Sequence, residues 1–332
     1  MKLVPGLLLT VLTLSAQNVK DSAGDTPDAH IAAAKAAAGD DFQNLFNFQC
    51  YGPGPGGPRQ APGTPAPAGR GAARGGAPRQ PGPSDPSTWH VEPVKVFDNL
   101  YFFGQSEYSV WAITTSQGII VLDTIFDYSV EDEVVAGMKK LGLDPANIKY
   151  AVVSHAHPDH DGGAKYLQDH YGTRVIMSPA DWDVLDKRTN GTKPKRDMEA
   201  TDGQKLTLGD TTVTLYITPG HTPGTISSVF QVKDNGTPHT VALWGGVGLN
   251  SDRPALEKYI HSAQRFSAIV KQSGADVILA NHTDWDHSKV NLPALATRTP
   301  GSPNPYIVGN AKALNFLKVA EECATGRLMT VN

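Results

Sequence analysis

His155-Ala156-His157-Pro158-Asp159-His160 places three imidazoles and a carboxylate within six residues, directly after the apolar run 150–154. His155 and His157 are two apart, so on an extended segment both rings project to the same side. Asp159 and His160 fall beyond Pro158, where Asp161-Gly162-Gly163 permits a sharp turn into the helix-like stretch 164–171. Imidazole and carboxylate are the donors that zinc takes where a site must stay open for chemistry. One motif can thus be divided between two neighbouring metals. The plain alternative is a solvated loop that happens to be rich in histidine.

Two further histidines stand where the same logic needs them. His221 follows the strand 212–217 in Thr218-Pro219-Gly220-His221-Thr222-Pro223-Gly224, whose prolines and glycines fix a tight turn. His282 follows the apolar strand 276–280 in Asn281-His282-Thr283. His155, His221 and His282 all occupy strand ends, so three sheet edges can converge on one crevice. Either of the later histidines alone reads as a surface residue; joined to the first motif, both become ligand candidates.

The surrounding pattern mixes strands with helices. Residues 94–97, 100–103, 111–115 and 119–123 read as short strands, with Gly118 marking a hairpin. Residues 129–141 read as a helix capped by Ser129, striped by Val130, Val134, Met138 and Leu141, and ended by Gly142. Strand 150–154, helix 164–171, strand 174–177 and helix 179–187 follow. Strands 206–208, 212–217, 227–232 and 241–244 precede helix 259–273, strand 276–280 and a closing helix 311–324. The order points to an α/β domain layered around sheets.

At 332 residues, with a formal charge of −4 and a pI near 6.2, the chain lacks the basic footprint of a nucleic-acid partner or a polybasic membrane patch. Residues 1–16 read as a signal peptide: a Met1-Lys2 start, an apolar run over 3–14 and a Leu14-Ser15-Ala16 exit. No later stretch approaches the ~20 apolar residues of a membrane span, so no stable membrane association is expected after cleavage. The expected location is secreted or periplasmic, an oxidising setting in which Cys50 and Cys323 can pair; a buried Cys323 thiol on its amphipathic helix is the alternative. Residues 17–51 form a helical segment in which Thr26 caps and Pro27 opens the helix. Residues 52–88, dominated by Gly and Pro with Arg59, Arg70, Arg74 and Arg79, bury too little to order themselves and read as a linker. Residues 89–332 form the globular domain.

The series His155/His157/Asp159/His160, His221 and His282 resembles the metallo-β-lactamase superfamily, and the likeness runs from about Val91 to the C-terminus. It implies an αββα sandwich of two mixed sheets flanked by helices, with metals at one edge. Thioesterase-type and lactonase-type members carry an Asp after the strand matching 241–243, bridging both metals; this chain has Trp244-Gly245-Gly246. The first two zinc β-lactamase subclasses hold the second zinc with a Cys, and none is available here. What remains is similar to the third subclass. That implies two Zn2+ per chain, the first on His155, His157 and His221, the second on Asp159, His160 and His282. Asp159 is then also the catalytic carboxylate, orienting the attacking water or taking its proton.

The implied substrate is a small molecule, and the implied reaction opens a cyclic amide, a β-lactam, with zinc-activated water. Alternatives are hydrolysis of another carbonyl (lactone, ester or small amide) and a metal-binding module without catalysis. Where the third subclass uses serines to hold the β-lactam carboxylate, this chain reads Val247-Gly248-Leu249-Asn250-Ser251, leaving Asn250 or Ser251 as substitutes. Asp123 reads either as an acceptor for a ligand imidazole or as a helix cap. Phe103, Tyr108 and Trp111 read as groove or core. His170, His239 and His261 read as surface residues, and His287 also, unless it backs His282. The oligomeric state is left open.

Overall fold

The computed structural model describes residues 25–54, 57–58 and 85–331. The proposed signal peptide and most of the Gly/Pro run lie outside them. β1 (Val94–Phe97), β2 (Leu100–Gly104), β3 (Ser109–Thr115) and β4 (Gly118–Leu122) form an antiparallel meander. β5 (Ile148–Val152), β6 (Arg174–Met177) and β7 (Met198–Glu199) continue it in parallel, completing a seven-stranded sheet. A five-stranded sheet follows: β8 (Gln204–Leu208), β9 (Thr211–Ile217), β10 (Ile226–Asp234) and β11 (Thr237–Trp244) antiparallel, then β12 (Val277–Ala280) parallel to β11.

Strand periodicity assigns the layers. In β3, Trp111 and Ile113 face Leu215, Phe230 and Leu243 of the other sheet, whereas Val110 and Ala112 face Val130, Val134 and Met138. In β11, Val241 and Leu243 point into the same inter-sheet core, and Ala242 and Trp244 point out toward α7 (Arg253–Ser273) and α9 (Asn310–Leu328). Two mixed sheets therefore pack face to face with helices outside, the α/β sandwich that the family resemblance implied. Trp111 and Phe103 are core residues in this arrangement, buried on opposite faces of the first sheet, and do not line a groove.

The N-terminal segment belongs to the outer helical layer. α1 (Pro27–Ala38) is capped by Thr26, whose Oγ1 accepts from Ala29 N at 3.2 Å. Ala34 and Ala37 of α1, Phe42, and Leu45 and Phe46 of α2 (Gln43–Tyr51) join the core shared with α7 and α9. A Cys50–Cys323 disulfide ties α2 to α9 across 273 residues of sequence, and His30 bridges Asp25 and Glu322 at 2.6 Å to each.

Two elements differ from the sequence reading. Residues 130–140 open as a π-helical stretch, Val130–Val135, before α3 (Ala136–Lys140), and Ser129 makes no side-chain cap bond. The wider turn buries Glu133, which meets His90 Nδ1 at 2.7 Å. A helix at Ser288–Ala296 was not expected, since Pro293 interrupts its pattern and no side chain caps it. Among the described residues, no helix is long and apolar enough to cross a membrane.

Candidate metal centre

The loops after β4, β5, β9, β11 and β12 meet at one edge of the sandwich. Beyond β5 the chain passes His155 and enters α4 (Pro158–Asp161), which α5 (Ala164–Tyr171) follows; Pro158 is at the first position of α4, so Asp159 and His160 lie in its first turn. The turn before His221 depends on Gly220, at φ +138°, where a Cβ would stand 2.4 Å from the Tyr259 backbone. Two groups that could each hold a metal ion result: His155, His157 and His221, and Asp159, His160 and His282, each with its donor atoms within 4.8 Å of one another. The sets adjoin, the His155 and His160 rings lying 4.2 Å apart. All six residues singled out in the sequence are thus brought together. His157 is exposed, His155 and His160 are buried, and the others are half-buried.

In the first set, His155 Nδ1 donates to Gly245 O at 2.8 Å and His221 Nδ1 donates to Gly248 O at 2.7 Å. A carbonyl can only accept, so each Nδ1 carries the hydrogen and each neutral ring presents a bare Nε2. Those two Nε2 atoms face one another at 3.1 Å with the rings at 87°. In the second set, His160 Nδ1 donates to Asp123 Oδ2 at 2.9 Å, and its buried Nε2 has no hydrogen-bond partner while lying 3.0 Å from Asp159 Oδ2. His282 Nε2 is 3.6 Å from the same oxygen. In the first set, lone pairs converging with no protein hydrogen between them fit a bound cation; in the second, a carboxylate-oriented imidazole beside a second carboxylate is how zinc ligands are held.

Electrostatics separate the sets. Burial and the neighbouring His157 depress His221 to about 3, and burial with the facing imidazoles also holds His155 and His282 well below the usual range. Burial opposes protonation of His160, yet the carboxylates of Asp159 and Asp123 push it up to about 10. Burial likewise opposes ionisation of Asp159, but His160, then His282 and His157, hold its carboxyl well below the ordinary range.

Asp123 resolves its two readings. At φ +63° its carboxylate takes Ser154 N at 2.7 Å and Ser154 Oγ at 3.0 Å besides His160, so it braces a ligand and caps no helix. Sequence reasoning missed Asp181. From α6 (Pro179–Lys187) its buried carboxylate accepts from Ala156 N (3.1 Å), Thr222 Oγ1 (2.7 Å) and Gly224 N (2.9 Å), joining the His155–His157 loop to the His221 turn. Asn281 was missed as well; its Nδ2 donates to Ser154 Oγ and Gly245 O. The signal for Asp181 was an acidic residue in the first turn of a helix capped by Ser178, which reads as ordinary capping chemistry.

Aromatic rings flank His282: Trp285 at 4.1 Å and Tyr108 at 5.1 Å, with Phe126 beyond Tyr108 at 5.0 Å. Asn250 spends its amide on the turn, donating to Gly220 O at 2.6 Å and His221 O at 2.8 Å. His239 pairs with Asp276 and His170 stacks on Tyr166, both away from the centre; His261 is exposed. His287 takes a left-handed backbone at the start of α8 (Ser288–Ala296).

Residues 104–237 match the metallo-beta-lactamase superfamily. An N-acyl homoserine lactonase, AttM of Azorhizobium caulinodans, is 26% identical over 195 residues, spanning 51% of this chain and 72% of the lactonase. A hydroxyacylglutathione hydrolase of Acidiphilium cryptum is 28% identical over 210 residues, or 59% of this chain and 82% of that one. In structure, the chain resembles BJP-1, a subclass B3 metallo-beta-lactamase of Bradyrhizobium japonicum. The TM-score is 0.60 and the identity 28%, over 70% of this chain and 92% of that one. Residues 104–237 form a metallo-β-lactamase superfamily domain, and the chain is a metal-dependent hydrolase.

Proposed function

We propose that the chain is a dinuclear zinc hydrolase of the β-lactamase type that opens a cyclic amide. His155, His157 and His221 would hold one zinc, and Asp159, His160 and His282 the other. The observation that carries this reading is the adjacency of two three-ligand sets, the second supplied by Asp, His and His without cysteine. Bound zinc supplies a water acidified to a pKa of about 7 and a Lewis acid for the carbonyl oxygen. Asp159, kept ionised by its imidazole neighbours, would be the carboxylate that orients the attacking water. Tyr108 and Trp285 shield the His282 side of the cleft from solvent.

Asn250 favours a second reading. Both hydrogens of its amide are taken by Gly220 O and His221 O, so it offers no donor to a β-lactam carboxylate. A lactone or simple ester carries no such carboxylate. Zinc content and turnover of nitrocefin, a carbapenem, a lactone and a nitrophenyl ester, beside His157→Ala, test both readings. About two zincs with metal-dependent nitrocefin turnover on the order of 10 per second support the first reading. Turnover confined to lactone or ester favours the second, and no metal-dependent turnover of any of the four sinks both.

Residues 1–16 are read as a cleaved signal, with the mature chain secreted or periplasmic and residues 52–88 linking its N-terminal helices to the hydrolase domain. The Cys50–Cys323 disulfide supports an oxidising compartment. N-terminal sequencing of the exported protein checks this: a chain still starting at Met1 would contradict it.

A further inference from the structure

The last turn of α2 carries two residues that reach different parts of the metal-binding edge, followed by the cysteine that ties the helix to α9. Successive helical positions are turned by about 100°, so residues 48, 49 and 50 fan apart and serve three directions at once. Phe48 stacks on Trp285, centroids 4.6 Å apart and planes at 26°, and Trp285 in turn lies against His282. Gln49 is buried, and its Nε2 donates to Val247 O at 2.7 Å and to Tyr259 Oη at 2.8 Å. Tyr259 Oη also donates to Val247 O and receives Trp244 Nε1, so the start of the 247–250 loop is held from two sides. The next residue, Gly248, supplies the carbonyl that orients His221, and a Cβ there would stand 2.9 Å from the His221 ring. Cys50 is bonded to Cys323.

We propose that Phe48 and Gln49 are positioning residues for the metal centre, a role that rests on reading His221 and His282 as ligands. Phe48 sets His282 through Trp285. Gln49 sets His221 through the Val247–Gly248 peptide. The disulfide holds α2 in the one register where both contacts coexist. The N-terminal helices thus form a wall of the site, although they are separated from the rest of the domain by the Gly/Pro run.

Cobalt titration of the metal-free, full-length protein tests this without any substrate. Stepwise affinities and the d–d absorption of each step are read for wild type, Phe48→Ala, Phe48→Leu, Phe48→Tyr and Gln49→Met. Thermal unfolding confirms that each variant is folded. Partners behind metal ligands are worth about 10–100-fold in affinity. At one further remove, Phe48→Ala is expected to weaken one step about tenfold and alter its absorption, and Gln49→Met to do so at the other step. Phe48→Tyr should restore wild-type behaviour. If Phe48→Ala fails to fold, Phe48→Leu, which keeps apolar volume but loses the stack, decides in its place. Folded variants with both steps and both spectra unchanged overturn the inference alone. A wild-type protein that binds no cobalt overturns it together with the ligand assignment.

Discussion

The two candidate ligand sets sit side by side but are held by different chemistry. The first leans on backbone: carbonyls of Gly245 and Gly248 orient His155 and His221, and no carboxylate joins the set. The second leans on charge: Asp159 is a member and Asp123 stands behind His160. A carbonyl fixes a tautomer without changing net charge, whereas a buried carboxylate also draws in positive charge. The first set should therefore answer to the shape of its loops and the second to its carboxylates.

Removing a ligand gives the largest effect. His157→Ala and His282→Ala should each lower metal-dependent turnover by more than about a hundredfold, beyond the usual cost of losing an outer partner. Wild-type rates in either variant would mean that one set suffices. Next comes Asp123→Asn, expected to weaken metal binding at the second set about 10–100-fold and at the first, which Asp123 reaches only through Ser154, by less. Equal weakening at both sets in a metal titration would erase the distinction drawn above.

The same contrast explains what the sequence reveals. His155, His157, Asp159, His160, His221 and His282 lie in short stretches whose residue types announce them: an alternating pair, a Pro-led first turn, a Pro/Gly-framed turn and a strand end. Strand alternation likewise placed Trp111 and Ile113 against the second sheet once the layers were in hand. The supports were hidden. A carbonyl at Gly245 has no residue-type signature, and Asp181 looks like any acidic residue in a first turn until the fold lays it against Ala156 and Gly224. Tyr108 and Phe103 look alike in sequence, yet only Tyr108, outside the strand, reaches His282.

Asp181 sharpens the comparison from the first set's side. Its carboxylate holds three donors from two loops; Asp181→Ala strands buried Ala156 N and Gly224 N, while the Thr222 hydroxyl keeps Thr225 Oγ1. Each unsatisfied buried group costs about 1–3 kcal/mol. Denaturant unfolding should show a loss of at least about 2 kcal/mol, and metal binding at the first set should weaken more than at the second. A variant as stable as wild type would show that the loops hold themselves.

The smallest effect concerns pH on the second set's side. Asp286 closes the loop that bears His282, accepting from Ala280 N at 2.8 Å and Ser288 N at 3.0 Å, and burial pushes its carboxyl up to about 7. The unfolded chain titrates this group near 4. Between those values the folded state holds a proton that the unfolded state has released, so its contribution to stability falls as pH rises, fully present below about 4 and lost above about 7. The slope cannot exceed about 1.4 kcal/mol per pH unit. Asp286→Asn loses one acceptor at every pH but carries no titration, so the difference between wild-type and variant stability should drift in the variant's favour across this window. A flat difference in urea unfolding of the metal-free protein would show that Asp286 is ionised throughout. The loop bearing His282 would then be held by charge down to low pH, as the ligand set beside it is.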